Sequence, residues 1–352
     1  MSTGAMAKAI NVAVVGATGA VGRELLALFE ERKFPAKKIT AFASSRSEGK
    51  ELSFRGEKLS CQILKAGCFQ NIDLVFFDAS DAISQEWVPQ AAQAGAWVVD
   101  NSASFRLDPE VPLIVPEVNG GLLSHPNKKI ISGPNCTVAP MTVVLNPILR
   151  NWGIKRVVLC TYQSVSGAGT LAMQELTEQS LGFLSKKSSQ SKVFPHPIAF
   201  NCIPQIGAFK TGPYKTGDET EGYTSEEVKT LLETRKILGK PGLKLTTTAI
   251  RVPTFSCHGQ ALNIECERAF DLTEIRKALL EQPGLTLEDD PKTNLYPMGV
   301  RQTGKDSVSV GRIRRDFSVE NGLNLWIVSD NLRKGAALNA IQIGEILVGK
   351  YF

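Results

Sequence analysis

The pentapeptide SGPNC at 132–136 sets a thiol, Cys136, after a proline and an asparagine and before the apolar run TVAPMTVVLNPIL. The pattern fits a helix start, where free backbone N–H groups and the positive end of the helix dipole favour a thiolate and can hold an oxyanion. Residue type leaves a second reading equally open, since a free cysteine is commonly a small core residue. The candidate acid or base is His258 in CHGQ, with Arg251 seven residues earlier in AIRVPTF. On one regular strand that odd separation would put the two side chains on opposite faces, and Cys257 would also face away from His258. Pro253 favours a bulge or bend, which leaves the geometry open. Arg106, in DNSASFRL, follows an apolar run and is a candidate anion ligand, because ligands of open parallel sheets bind beyond the strand ends. The segment YTSEEVKTLLETRKILG reads as a helix, with Thr224 and Glu227 as a capping box and Val228, Leu231, Leu232 and Leu238 as its apolar stripe. Glu226 and Lys229 lie three apart on its polar face, where such a pair is usually a weak solvated bridge.

These residues need a scaffold, and the amino-terminal half supplies one. INVAVVGATGAVGRELLALFEERKFP reads as strand, turn and helix, with Gly16, Gly19 and Gly22 spaced G-x-x-G-x-x-G at the turn. In that context the spacing is a variant of the dinucleotide-binding turn, in which backbone N–H groups and a helix amino terminus meet a pyrophosphate. The strand KITAFASS is expected to end near position 44. Ser44, Ser45 and Arg46 follow where an acidic residue would favour NAD, so the hydroxyls and guanidinium point to NADP(H), although Arg46 reads equally as a solvated loop residue. DLVFFDAS, the helical SQEWVPQAAQAG and AWVVDNSASF continue the alternation, which implies a Rossmann-like doubly wound parallel sheet.

After IISGPNC the pattern shifts to longer β-rich segments, RVVLCTYQSVSG, KLTTTAIRVPTFSCHGQALNIECE, DSVSVGRIRRD and GLNLWIVSD, interleaved with helices. A second α+β domain with a mixed or antiparallel sheet is expected. The helix in GAALNAIQIGEILVGKYF is expected to return to the first domain. The expected boundaries are residues 1–135 completed by 331–352, and residues 136–330. Segments 184–192 and 212–225 read as mobile surface loops.

Composition narrows the partners. A chain of 352 residues suits two domains, and its 43% hydrophobic and 21% charged residues are those of a soluble protein with no membrane-spanning run. The first residues lack the basic region, apolar segment and small-residue cleavage site of a secretory leader, so a cytoplasmic protein is expected. A net charge of +5 is dispersed without a basic block, which argues against nucleic acid and for a small anion. Seven cysteines without a C-x-x-C pair suit reduced thiols, and three histidines at 125, 196 and 258 give no zinc-like spacing apart from the adjacent Cys257 and His258. No metal site is expected.

Together the segments resemble aspartate-β-semialdehyde dehydrogenases of the bacterial type over nearly the whole chain. The resemblance rests on VAVVGATGAVG, VVDNSASFR, PLIVPEVN, GPNCTVAPM, TYQSVSGAG, PIAFNCIPQIG, EEVKTLLETRKI, RVPTFSCHGQALNIE, VGRIRRD and WIVSDNLRKGAA. Thr137 stands where many relatives have serine and keeps the hydroxyl. The resemblance implies NADPH-dependent reductive dephosphorylation of L-aspartyl-4-phosphate through a Cys136 thioester, in biosynthesis of lysine, methionine, threonine and isoleucine. It implies that His258 is the general acid/base, that Gln163 orients the substrate, and that Arg251 and Glu226 bind its α-carboxylate and amino group. Arg106, Lys229 and Asn135 would bind phosphate. Thr18, Gly19, Ala20, Val21, Ser45, Arg46, Ser166, Gly167 and Asn331 would contact NADP(H), beside Gly16 and Ser44 of the two turns read above. It also implies a homodimer joined through the second domain. The competing readings are N-acetyl-γ-glutamyl-phosphate reductase, whose substrate lacks a free amino group, glyceraldehyde-3-phosphate dehydrogenase, whose motifs differ, and a cofactor-binding regulatory homologue without turnover.

Overall fold

The computed structural model describes residues 9–187, 190–211 and 220–352. The chain divides into two compact units, one running to Pro134 and resuming at Ala336–Phe352, the other comprising Asn135–Gly335.

The first unit is laid down as β1 (Ile10–Val15), α1 (Ala20–Glu31), β2 (Ala36–Phe42), the hairpin β3 (Glu51–Phe54) and β4 (Glu57–Ser60), β5 (Leu74–Phe77), α2 (Asp81–Gln93), β6 (Trp97–Asp100), the short α3 (Pro116–Asn119) and β7 (Ile130–Ser132). Its sheet has the order β2-β1-β5-β6-β7, and every pairing is parallel. Strands β1, β5 and β6 are apolar almost throughout because both faces of a parallel sheet are covered. β2 stops at Phe42, two residues short of the expected end. The Phe42 carbonyl accepts the N–H groups of both Gly16 (2.9 Å) and Ala17 (3.1 Å), so the glycine turn uses up the ladder and Ser45–Ser47 coil into a 3-10 turn. α2 begins at Asp81, earlier than the SQEWVPQAAQAG segment, because the Ser80 hydroxyl accepts from the Ile83 N–H and caps it.

The second unit contains α4 (Val138–Trp152), β8 (Arg156–Gln163), α5 (Thr170–Leu184), α6 (Ser225–Ile237), β9 (Lys244–Arg251), β10 (His258–Glu265), α7 (Leu272–Glu281), β11 (Leu285–Leu287), the short α8 (Gly299–Gln302), β12 (Val308–Asp316) and β13 (Gly322–Ser329). The order of its mixed sheet is β11-β12-β13-β10-β8-β9. One apolar core joins Met141, Leu145 and Ile148 of α4 and Ile275 and Leu279 of α7 to Leu159, Leu262, Ile264, Leu325 and Ile327 of the sheet. Of the two segments expected to be mobile loops, 184–192 starts at the last residue of α5 and 212–225 ends in the cap and first residue of α6. Residues 188–189, 212–219 and the segment before Ala9 lie outside the described residues. No helix among the described residues is long and apolar enough to cross a membrane.

The chain ends in α9 (Leu338–Tyr351), whose Leu338, Ile341, Leu347 and Val348 enter the core of the first unit with Leu25, Phe29, Phe34 and Phe76. Phe29, Phe34 and Phe76 pack edge to face or tilted at centroid distances of 5.0–6.1 Å. Gly344 lets α9 approach that cluster: a Cβ there would stand 2.7 Å from Phe76 Cζ and 3.3 Å from Phe34 Cε2. Gly349, one turn further on, has open space at the same atom. Gly344→Ala is expected to destabilise by about 1–2 kcal/mol, because overpacking a wedged ring outweighs the gain in helix propensity. Gly349→Ala is expected to stabilise by up to about 1 kcal/mol; thermal midpoints of the two variants check the opposite signs.

Candidate active site

In the second unit, three neighbouring strands present their polar ends in one row. Gln163, the last residue of β8, is in register with Arg251 at the end of parallel β9 and with His258 at the start of antiparallel β10. Register partners in a sheet point to the same face, so Arg251 and His258 flank Gln163. The parity of their separation is irrelevant, because the intervening loop crosses β8 and the two residues never share a strand. All three are buried. The Arg251 Nη1 donates to the Ser164 carbonyl at 2.7 Å, and the guanidinium lies 5.9 Å from the Phe194 ring centre. Burial lowers its affinity for a proton, and the proximity of Cys136 and Glu226 acts in the opposite direction. His258 is fully buried, and burial with the neighbouring Arg251 charge pushes its pKa down to about 3.

Cys136 lies in the entry turn of α4. The Asn135 carbonyl accepts from Val138 N (3.0 Å) and Ala139 N (3.1 Å), and Asn135 Oδ1 accepts from Thr137 N (2.9 Å) and Thr137 Oγ1 (2.6 Å). Asn135 therefore does the capping, which leaves Thr137 without a side-chain cap bond of its own. The turn is fixed from the far side by α6. Asn135 N donates to Glu233 Oε2 at 2.7 Å, and Asn135 Nδ2 donates to Glu226 Oε1 at 2.9 Å. The same Glu226 oxygen accepts from Gln163 Nε2 at 3.3 Å, which ties the thiol's turn to the strand row. Gln260 Nε2 donates to the Thr137 carbonyl at 2.9 Å. Gly335 covers the thiol's backbone so closely that a Cβ would stand 3.0 Å from Cys136 Cβ.

The unit thus collects Asn135, Cys136, Gln163, Glu226, Arg251 and His258, and with them Ser166, Gly167 and Asn331. Glu226 does not behave as one half of a solvated surface pair: it accepts from Asn135 and Gln163. Lys229, half-buried, follows one turn along α6. The expected capping box forms, with Thr224 N donating to Glu227 Oε2 at 2.7 Å. Glu233 and Ser164 escaped the sequence reading. For Glu233 a signal existed, since Glu226, Thr230 and Glu233 fall at helical spacing on one face. For Ser164 there was none, because its role depends on β10 and Asn331.

In the first unit, the glycine turn and Ser44–Arg46 follow the carboxyl ends of adjacent strands β1 and β2. Gly16 has φ +87°, and a Cβ there would strike the Asp78 carbonyl at 2.0 Å; a Cβ on Gly22 would meet Gly16 O at 2.3 Å. Gly19 precedes α1 without any side-chain cap, and Thr18, Ala20 and Val21 are half-buried around it. An uncapped helix start with open N–H groups fits a pyrophosphate. Ser44, Ser45 and Arg46 are exposed, and none is a carboxylate, so they fit a 2′-phosphate. Arg106 is buried and donates to the Asn101 carbonyl at 2.6 Å. Asp100 is held by Ser84 Oγ (2.9 Å) and Ser102 Oγ (2.6 Å). Among the described residues no cluster of His, Cys, Asp and Glu could hold a metal ion.

A family model described as "Semialdehyde dehydrogenase, NAD binding domain" matches residues 11–125, and one described as "Semialdehyde dehydrogenase, dimerisation domain" matches residues 145–334. The aspartate-semialdehyde dehydrogenase of Aquifex aeolicus is 45% identical over 341 residues, 96% of this chain and 98% of its own length. That of Bacillus subtilis is 41% identical over 350 residues, 97% and 98% of the two chains. A crystal structure of aspartate semialdehyde dehydrogenase II from Vibrio cholerae, complexed with ASA, has a TM-score of 0.92 and 41% identity, covering 98% of this chain and 100% of that one.

Asp78, at the glycine turn, carries a pH dependence. Burial pushes its pKa up to about 6, helped by Asp100 and opposed by the Asn101 hydrogen bond and the Arg106 charge. A folded pKa above the unfolded value means that its favourable contribution is complete below the unfolded pKa and is lost as pH rises through about 6. Asp78→Asn, which keeps an acceptor for Asn101, is expected to gain up to about 3 kcal/mol over the wild type above that pH and little at about pH 4. Urea midpoints across that window measure the difference.

Proposed function

The chain belongs to the aspartate-semialdehyde dehydrogenase family, and from that premise we propose that it reduces L-aspartyl-4-phosphate to L-aspartate-4-semialdehyde with NADPH, releasing inorganic phosphate through a thioester on Cys136. The observation that carries this reading is the bonding of the Cys136 turn, through Asn135 and Glu226, to the row of Gln163, Arg251 and His258. A buried cation and a carboxylate that face each other complement the α-carboxylate and α-amino groups of an amino-acid substrate. That complementarity favours a free amino acid over an N-acetylated one.

In the proposed cycle the Cys136 sulfur attacks the acyl phosphate carbon, charge gathers on the carbonyl oxygen, and the C–O bond to phosphate breaks. Arg251 and Glu226 hold the amino-acid end while Gln163 orients the chain, so the carbonyl meets the thiol without a search. Lys229 and Asn135 are the second unit's ligands for the phosphate that leaves. NADPH, held in the first unit by Gly16, Thr18–Val21 and Ser44–Arg46, would supply the hydride that reduces the thioester. His258 faces the oxygen, and collapse to the aldehyde breaks the C–S bond and regenerates the Cys136 thiolate. The enzyme serves amino-acid biosynthesis in the cytoplasm and works as a homodimer through residues 145–334.

Purified protein is expected to reduce NADP when given L-aspartate-β-semialdehyde and inorganic phosphate, and Cys136→Ala to lose about 10⁴-fold or more in kcat. Equal or faster turnover of N-acetylglutamate semialdehyde would sink the substrate assignment. Comparable rates with NAD would remove the role given to Arg46.

A further inference from the structure

Residues 192–199, KVFPHPIA, run without helix or strand. Pro195 and Pro197 carry no N–H, so the segment is poorly suited to a sheet and has six such groups over its eight residues. Five of the six go to two side chains of α5. Glu175 Oε2 accepts from Lys192 N at 2.7 Å and Val193 N at 2.6 Å, and Glu175 Oε1 accepts from Phe194 N at 3.4 Å. Gln179 Oε1 accepts from Ile198 N at 2.7 Å and Ala199 N at 3.1 Å. The two side chains lie one turn apart on one helix face, and Gln179 Nε2 donates to Glu175 Oε1 at 3.1 Å. Both are buried, with 5% and 2% exposure. A carboxylate and an amide so far from water are costly unless their bonds are made, and here they are made to the backbone of one loop.

That loop leads to the arginine of the strand row. Beyond Ala199 the chain reaches the end of β9, where Ile203 and Arg251 exchange both backbone hydrogen bonds at 2.9 Å. Phe194 packs against a small apolar core of Val165, Leu176, Ile198 and Ile203. The Arg251 Cζ lies over the Phe194 ring, 5.9 Å from its centre and within cation–π reach. The Ser164 carbonyl takes the Arg251 Nη1 hydrogen at 2.7 Å, so the guanidinium is held at its edge by one group and at its face by another. A ring against that face keeps water away and leaves the remaining N–H donors for an anion, whose attraction is stronger where water is excluded.

We propose that Glu175 and Gln179 are positioning residues that fold residues 192–199 so that Phe194 lies against Arg251, and that the ring thereby strengthens the hold of Arg251 on the substrate's α-carboxylate. This rests on the reading of Arg251 as the ligand of that carboxylate. A clamp that only stabilised the fold would alter the amount of active protein. A ring acting through Arg251 alters the affinity for the amino-acid substrate and leaves that for NADP in place.

Steady-state kinetics of the full protein separate the two. Phe194→Leu removes the ring and is expected to raise KM for L-aspartate-β-semialdehyde about 5- to 10-fold, while KM for NADP moves less than about twofold. Phe194→Tyr keeps the ring and is expected to restore most of the lost affinity. Glu175→Gln places a donor where backbone N–H groups already donate, and is expected to raise the same KM to a similar extent. In that background Phe194→Leu is expected to add less than about twofold, because the ring is already displaced. If Glu175→Gln does not fold, Gln179→Met, which removes the bonds to Ile198 and Ala199, replaces it in the cycle with the same expectation. An unmoved semialdehyde KM in Phe194→Leu overturns the proposal, as does an equal rise in KM for NADP. Losses that multiply in the double variant overturn the positioning role. Arg251→Gln tests the premise separately: if it leaves the semialdehyde KM unchanged, Arg251 is not the carboxylate ligand, whereas a large rise beside an inert Phe194→Leu refutes the ring alone.

Discussion

Everything proposed for the second unit depends on one alignment, the register that sets Gln163 between Arg251 and His258 on three adjacent strands. Ladder hydrogen bonds on both sides of β8 fix it, and a slip of one strand by one residue would turn its side chain away from the other two. Such rigidity is what a cation, an amide and an imidazole need if they are to meet one small molecule without reorganising. Buried polar groups are costly unless paired, and here each of the three side chains has a partner within the row or just beyond it, while His258 Nε2 has none among the described residues. Ser164 links two of them, since its carbonyl takes Arg251 and its N–H takes His258.

The nucleophile is attached to that row by a second element. α6 reaches Asn135 with two carboxylates, Glu233 on the backbone and Glu226 on the side chain, so the helix start that carries Cys136 is held on its outer side as well as by its own turn. Glu226 also binds Gln163, and its charge faces Arg251. One carboxylate thus spans the thiol's turn and the strand ends, which makes it a structural tie as well as a ligand for an ammonium group.

The first unit follows a different principle, close backbone approach. Gly16 lies against the Asp78 carbonyl and Gly22 against Gly16, so the turn leaves no room for side chains at those two positions. The consequence is a helix start with no side chain over its N–H groups, while the Phe42 carbonyl anchors the turn to β2. Half-buried Asp78 and buried Asp100 lie close by, and the Arg106 guanidinium offsets their charge.

Local chemistry was legible in the chain. The glycine spacing, the alternation of strands and helices, the capping box of Thr224 and Glu227 and the helix start at Cys136 are short-range patterns, and each depends on residues within a turn or two. The motifs also carried the family resemblance. What the sequence could not supply was any relation between residues brought together by strand pairing. The parity of 251 and 258 suggested opposite faces, and only the insertion of β8 between β9 and β10 made the question vanish. Glu226 read as a solvated pair because nothing within its own helix shows that Asn135 and Gln163 approach it. Ser164 gave no sign at all, since folding alone brings its backbone N–H to His258 and its hydroxyl to Asn331. Composition and periodicity act along the chain, whereas the protonation state and partners of a buried group are set by what folding places around it.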